Sequence, residues 1–182
     1  GGGGDDEPDT TADEVTAVES PDEASEPTEP PAESPVAEEP AAEEPVEEAP
    51  AVAPGIGTPV RDGKFEFVVN SVTCGETQIG DEYFNTTAQG NFCFVAVTVT
   101  NIGDEPQSFW GDGQSLYNAE GQEYSADTEA AFYMEDNALY EEINPGNSLS
   151  GTIVYDVPVG TVPASIELHD SIFSGGVTVA LL

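Results

Sequence analysis

An all-β fold is what this sequence predicts: a two-sheet antiparallel β-sandwich over residues 55–182, preceded by a disordered Pro/Glu-rich acidic tail over residues 1–54. Three observations carry that reading. Strand-like alternation dominates after residue 55, its short apolar runs are punctuated by Gly and Pro, and the composition breaks sharply near the same point.

Residues 1–54 hold ten of the fifteen prolines and eighteen of the thirty-seven acidic residues, without one Lys, Arg, aromatic or Cys. Such a segment cannot bury enough apolar surface to offset its ordering entropy. Loosely repeated blocks such as Pro35-Val-Ala-Glu-Glu-Pro40 favour extended polyproline II, and Glu repels Glu. The tail reads as a spacer. Its start, Gly1-Gly-Gly-Gly4 before a Thr/Pro/Glu tract, is similar to a mature bacterial lipoprotein just after its lipidated Cys. This chain does not carry that Cys, so membrane attachment is expected only through an inferred N-terminal lipid anchor. A freely secreted protein, a surface stalk or a cloning remnant are the alternatives.

The sandwich starts with Pro59-Val-Arg-Asp-Gly63 as a short edge and turn. Lys64–Thr73 follows as a strand with Phe65, Phe67 and Val69 on one side and Val68, Val72 and Cys74 on the other. The change of apolar face near Val68–Asn70 predicts a bulge or a strand passing between sheets. Gly75–Gln89 reads as a polar loop containing Tyr83 and Phe84, and Asn85-Thr86-Thr87 matches a glycosylation sequon. Phe92–Asn101 is the central strand. Cys93, Val95, Val97 and Val99 share its core face, and Phe92, Phe94, Ala96, Thr98 and Thr100 share a mixed one. Asn101-Ile-Gly-Asp-Glu-Pro106 closes it with turn chemistry.

Gln107–Trp110 then reads as a short strand, and Ala119-Glu-Gly121 as the loop of a hairpin between Ser115–Asn118 and Gln122–Tyr124. Asp127–Asn144 mixes Ala, Phe, Met and Leu at partly helical spacing, which predicts a long crossover with a helical turn or two. Ser148–Val157 alternates cleanly, Ser165–His169 points Ile166 and Leu168 inward, and Val177–Leu182 closes the domain. Seven or eight strands result.

Cys74 and Cys93 both fall on apolar strand faces, and their spacing with a single His169 is no metal motif. A Cys74–Cys93 disulfide is expected, and with it an oxidising compartment. Two buried free thiols are the alternative.

The chemistry left to a binding site is narrow. Nineteen acidic residues against Arg61 and Lys64 in residues 55–182 oppose nucleic-acid phosphates and anionic lipid. No nucleic-acid partner and no cofactor are expected. His169, opposite Ile166 and Leu168, is expected on a solvent-facing side, and His169-Asp-Ser171 are sequence neighbours whose side chains diverge. No phosphate-cradling loop or serine elbow is present, so neither catalytic nor metal residues are assigned. Calcium is the minority case, with Asp104, Glu105, Asp112, Glu120 and Asp127 in loops but no Asp-x-Asp-x-Asp run. Candidate contact residues are Phe132, Tyr133, Met134 and Tyr140 in the crossover. The plainer expectation is that the crossover lays them over the core.

Several motifs together carry a likeness: Val60-Arg-Asp-Gly-Lys-Phe65, a strand ending in Cys74-Gly75, Phe92-Cys-Phe-Val-Ala-Val-Thr-Val and Asn101-Ile-Gly-Asp-Glu-Pro106. The Asn144-Pro-Gly turn before Gly151-Thr-Ile-Val-Tyr-Asp156, and Leu168-His-Asp-Ser171, complete it. With them, residues 58–182 resemble the domain of unknown function DUF4352. That resemblance implies an immunoglobulin-like sandwich of secreted proteins and lipoproteins of Gram-positive bacteria, related in fold to a mycobacterial secreted immunogenic protein, with no transferable catalytic residue. A non-enzymatic extracellular binding or adhesion-like module is then expected, lipid-anchored at the cell surface, its partner an unknown protein or envelope component. A passive envelope spacer and a calcium-binding domain are the alternatives.

Overall fold

The computed structural model describes residues 52–182. The disordered tail expected over residues 1–54 lies outside the described residues except for its last three. Pro54 already belongs to the domain, because its carbonyl accepts from Ala180 N at 2.8 Å.

Strands β1 (Val60–Asp62), β2 (Phe65–Gly80), β3 (Asn85–Asn101) and β8 (Ser148–Val157) form one sheet in the order β1-β2-β3-β8. The second sheet runs β10 (Val177–Ala180), β9 (Pro163–Leu168), β5 (Ser115–Asn118), β6 (Glu123–Ser125). A two-stranded ribbon pairs β4 (Gln107–Trp110) with β7 (Tyr140–Ile143). All named pairings are antiparallel. The expected sandwich is there, with ten strands rather than seven or eight among the described residues.

Its core lies where the inner faces meet. Phe65, Phe67 and Val69 of β2 and Cys93, Val95, Val97 and Val99 of β3 face Leu116, Ile166, Leu168 and Val179 of the other sheet. Each buried Val, Leu, Ile or Phe contributes about 1.5–3 kcal/mol, so the alternation on β2 and β3 alone specifies which face turns inward. The face change in β2 is a bulge: Val69 pairs Val97 but Ser71 pairs Ala96, leaving Asn70 as the extra residue.

Sheet one is covered on its outer face too. Ile79, Phe92 and Val154 pack there under Ala130 and Ala131 of α1 (Thr128–Ala131), with Tyr133, Met134 and Leu139 against them. Asp127 caps that helix, accepting from Ala130 N at 2.8 Å. The expected helical turn is present, but the crossover ends in β7, a strand hidden in the sequence by its exposed Glu141 and Glu142.

Gly75–Gln89 is not a loop. Pairs Gln78↔Thr87, Ile79↔Thr86 and Gly80↔Asn85 extend the β2–β3 hairpin almost to its tip. Both faces of that extension are largely polar, so the period-two signal that marks a strand is absent from its sequence. A further bulge follows Cys74, and a wider break in register follows Glu76, where Thr77 stands against residues 88–91 of β3.

Cys74 and Cys93 are directly opposed on β2 and β3 and joined in a disulfide. Both point to the core face as expected, yet only Cys93 is buried. The pairing of β1 with β2 stops at Phe67, so Cys74 sits on an open sheet edge.

Candidate functional site

A groove of about 710 Å³ opens where the β4–β7 ribbon meets the β9–β10 loop. In an antiparallel pair, directly opposed residues share a face. The register Trp110↔Tyr140 and Ser108↔Glu142 therefore puts these four side chains on the outward face of the ribbon, opposite buried Phe109. Trp110 and Tyr140 stack with ring centroids 4.4 Å apart, and Ser108 Oγ lies 3.3 Å from Tyr140 Oη. Although stacked, they stay 53% and 52% exposed. Ile172 and Phe173 of the β9–β10 loop line the groove beside Trp110, 86% and 91% exposed. Asp112 and Asp170 bring carboxylates to the same lining.

Buried polar groups hold the two walls in place. Gln114 is 2% exposed and spends its amide on both: Nε2 donates to Trp110 O at 2.8 Å and His169 O at 3.2 Å, and Oε1 accepts from His169 N at 2.7 Å. The Gln114 carbonyl accepts from Tyr155 Oη at 3.1 Å. Burial pushes the Tyr155 phenol up, so it remains a neutral donor. Asp170, which follows His169, accepts from Lys64 N at 2.6 Å, and its own N–H donates to Asp62 at 2.7 Å. Gly63 makes that pairing possible: φ is +53°, and a Cβ there would overlap the Asp170 carboxylate. Asn101, fully buried, donates to Ile143 O at 2.7 Å and Glu105 O at 2.8 Å, tying the ribbon to the end of β3.

His169 is half-buried rather than out in solvent. Its Nε2 lies 2.8 Å from Glu167 Oε1, and its Nδ1 lies 3.4 Å from Ser174 Oγ. Ser174 gives its proton to Ser171 O at 2.9 Å, so the three side chains staple the base of the Ile172–Phe173 loop. Ser171, the residue adjacent in the sequence motif, makes no side-chain bond to the ring among the described residues.

The four candidate contact residues separate into two places. Tyr140 is outside the groove's lining but stacks on Trp110, which belongs to it. Tyr133 and Met134 are half-buried on the second core, Tyr133 stacks on Phe84 at 4.4 Å, and Phe132 stands exposed at the end of α1. Trp110, Ile172, Phe173 and Gln114 were not singled out by sequence. One signal existed: Ile172-Phe173 is a large apolar pair inside Ser171…Ser174-Gly-Gly176, a stretch of turn chemistry where a core residue is out of place.

The acidic loop residues do not converge. Asp127 is spent on its cap, Asp112 lies on the turn Gly111–Gly113, and Glu120 lies in the β5–β6 hairpin. Among the described residues no three His, Cys, Asp or Glu side chains are grouped to hold a metal ion. Nor is any described helix long and apolar enough to cross a membrane.

Two four-stranded antiparallel sheets with an added two-stranded ribbon make this a β-sandwich domain. The chain belongs to the family described as domain of unknown function (DUF4352), whose profile matches residues 54–179. Its fold is similar to that of the yjhA protein from Bacillus subtilis, with TM-score 0.56 at 17% identity over 71% of this chain and 99% of that one. It is also similar to MPT63, a secreted protein from Mycobacterium tuberculosis, with TM-score 0.51 at 15% identity over 68% of this chain and 92% of that one. No curated protein matches the chain in sequence.

Proposed function

We propose that this is a non-enzymatic recognition domain of the bacterial exterior, held off the surface by its acidic Pro/Glu-rich spacer and binding its partner in the Trp110–Phe173 groove. The carrying observation is that three large apolar side chains, Trp110, Ile172 and Phe173, stay exposed around one concavity while a buried amide, Gln114, fixes both of its walls. Exposed apolar surface costs solubility unless something covers it, and here it is concave, aromatic and rigidly backed. The Cys74–Cys93 disulfide supports an oxidising compartment, and the likeness in fold to a secreted mycobacterial protein agrees with it. A lipid anchor upstream of Gly1 belongs to the same reading.

Trp110 is the only Trp in the chain, so its emission reports the groove directly. Peptides selected from a random display library on the full chain should shift that emission to the blue. They should also lose binding to a Trp110→Ala/Phe173→Ser variant. Selected peptides that bind the double variant equally well would place recognition elsewhere. A library that enriches nothing would favour the passive spacer.

A further inference from the structure

Charge decides what can enter the groove. The domain carries nineteen carboxylates against Arg61 and Lys64, and Arg61 is already paired with Glu66 at 2.8 Å. Asp112 lies in the lining, and Glu142 shares the outward face of the ribbon with Trp110 and Tyr140, both carboxylates exposed. Three occupants are conceivable for an apolar concavity of this kind. The chain's own tail is the first, but it brings eighteen acidic residues and no Lys or Arg. A second copy would press the same carboxylates against themselves. Both are opposed by like charge.

We infer that the groove receives a basic, arginine-bearing segment of a partner protein, with an apolar side chain anchored between Trp110 and Phe173. This rests on the recognition reading above and names the partner's chemistry. An aromatic floor attracts a guanidinium over the ring faces, and carboxylates at its edge pair with the same planar group. The apolar wall of Ile172 and Phe173 supplies the burial that ion pairing in water does not. Acidity alone would attract any cation, and the aromatic wall alone any apolar side chain. Their juxtaposition selects a segment that has both.

The test uses the full chain and three capped pentapeptides: Arg-Gly-Phe-Gly-Arg, the same with Ser for both Arg, and the same with Ser for Phe. Trp110 emission is the readout. The first peptide should bind about tenfold or more tightly than either of the others, and lose most of that advantage when salt rises well above physiological, where exposed charges are screened. Asp112→Asn/Glu142→Gln, both at exposed positions that leave the core untouched, should reduce it to the level of the Ser-Gly-Phe-Gly-Ser peptide. If the Arg and Ser peptides bind alike, the basic partner is wrong while groove recognition stands. If the double variant binds the Arg peptide unchanged, the carboxylates are not its recognition elements. If no peptide moves Trp110 emission up to millimolar concentration, both readings fall.

Discussion

The domain exposes aromatic rings at both ends of its long hairpin, and the two ends differ in what lies beneath. β3 runs from Asn85 to Asn101, about 50 Å of strand, with the hairpin tip at one end and the groove near the other. Each end has a stacked pair at the same centroid distance of 4.4 Å, Phe84 on Tyr133 and Trp110 on Tyr140. Tyr133 lies over a second small core of Ile79, Phe92, Ala130, Ala131 and Val154, so the stack at the tip closes a hydrophobic cluster. Trp110 instead lines a cavity with Ile172 and Phe173, and Tyr140 stacks on its ring. Exposure of an aromatic side chain is therefore a poor guide to function. Whether its buried face already has a folding partner is the better one.

The largest effect should come from breaking the clamp that sets the groove apart. Gln114→Ala removes three hydrogen bonds and leaves the part-buried His169 N–H without its partner, which should cost about 2–4 kcal/mol in denaturant unfolding. Trp110 anisotropy should fall with it. A loss below about 0.5 kcal/mol with unchanged anisotropy would mean that the walls are held by something else.

Next in size is the disulfide, which acts on the other end. It closes the segment between Cys74 and Cys93, which contains the whole hairpin tip. Reduction should lower stability by about 3 kcal/mol in the chain-entropy picture and raise amide exchange in residues 75–92. Trp110 emission in the still-folded protein should not change. A shift there would show that the two ends are mechanically coupled and undo the comparison.

How much of this could be read from sequence follows from the same contrast. The Phe92–Asn101 strand and the bulge at Asn70 were legible because one face of each strand is buried, which writes period two into the residues. The hairpin extension was not legible, because both of its faces are largely wet and Thr86, Thr87 and Gln78 look alike in a loop or a strand. Nor was β7, where Glu141 and Glu142 conceal a strand on an exposed ribbon. The groove was legible only at its margin: Tyr140, which stacks on Trp110, was a candidate, but Trp110 and Phe173 are far apart in the chain. Gln114, reaching from β4 to the end of β9, ties the two walls together. Local pattern carries no trace of such a long-range bond.

A third, smaller effect separates the walls from the tip. Gly63→Ala meets both a positive φ and the Asp170 carboxylate, and should cost about 1–2 kcal/mol while displacing the β9–β10 loop and altering Trp110 emission. Normal emission at wild-type stability would show that Asp170 does not position the groove. Single-ring deletions sharpen the contrast further. Phe84→Ser should destabilise by about 1 kcal/mol because its ring lies on Tyr133, whereas Phe173→Ser should stay within about 0.5 kcal/mol. Equal costs would mean that the groove rings are also covering a core.

The smallest effect is local to the hairpin tip and depends on pH. Asp81 accepts from Phe84 N at 2.7 Å and Tyr83 N at 2.8 Å, and these backbone donors, Phe84 foremost, hold its carboxyl below the usual range. The carboxyl is fully exposed, so the gain is confined to the order of the turn. A folded-state pKa below the unfolded one favours the turn above the unfolded value of about 3.9, and that preference is lost as pH falls through the folded value. The amide resonances of Tyr83 and Phe84 should therefore hold steady from neutral pH down to about 4 and move together below it. Asp81→Ala should give the low-pH positions at every pH, because the acceptor is gone rather than protonated. Its Phe84 ring should also sit less firmly on Tyr133, seen as weaker ring-current shifts on the Tyr133 protons. If Tyr83 and Phe84 amides titrate above pH 4, or if Asp81→Ala leaves the stack intact, the tip is held by the second core alone. The turn then only follows it.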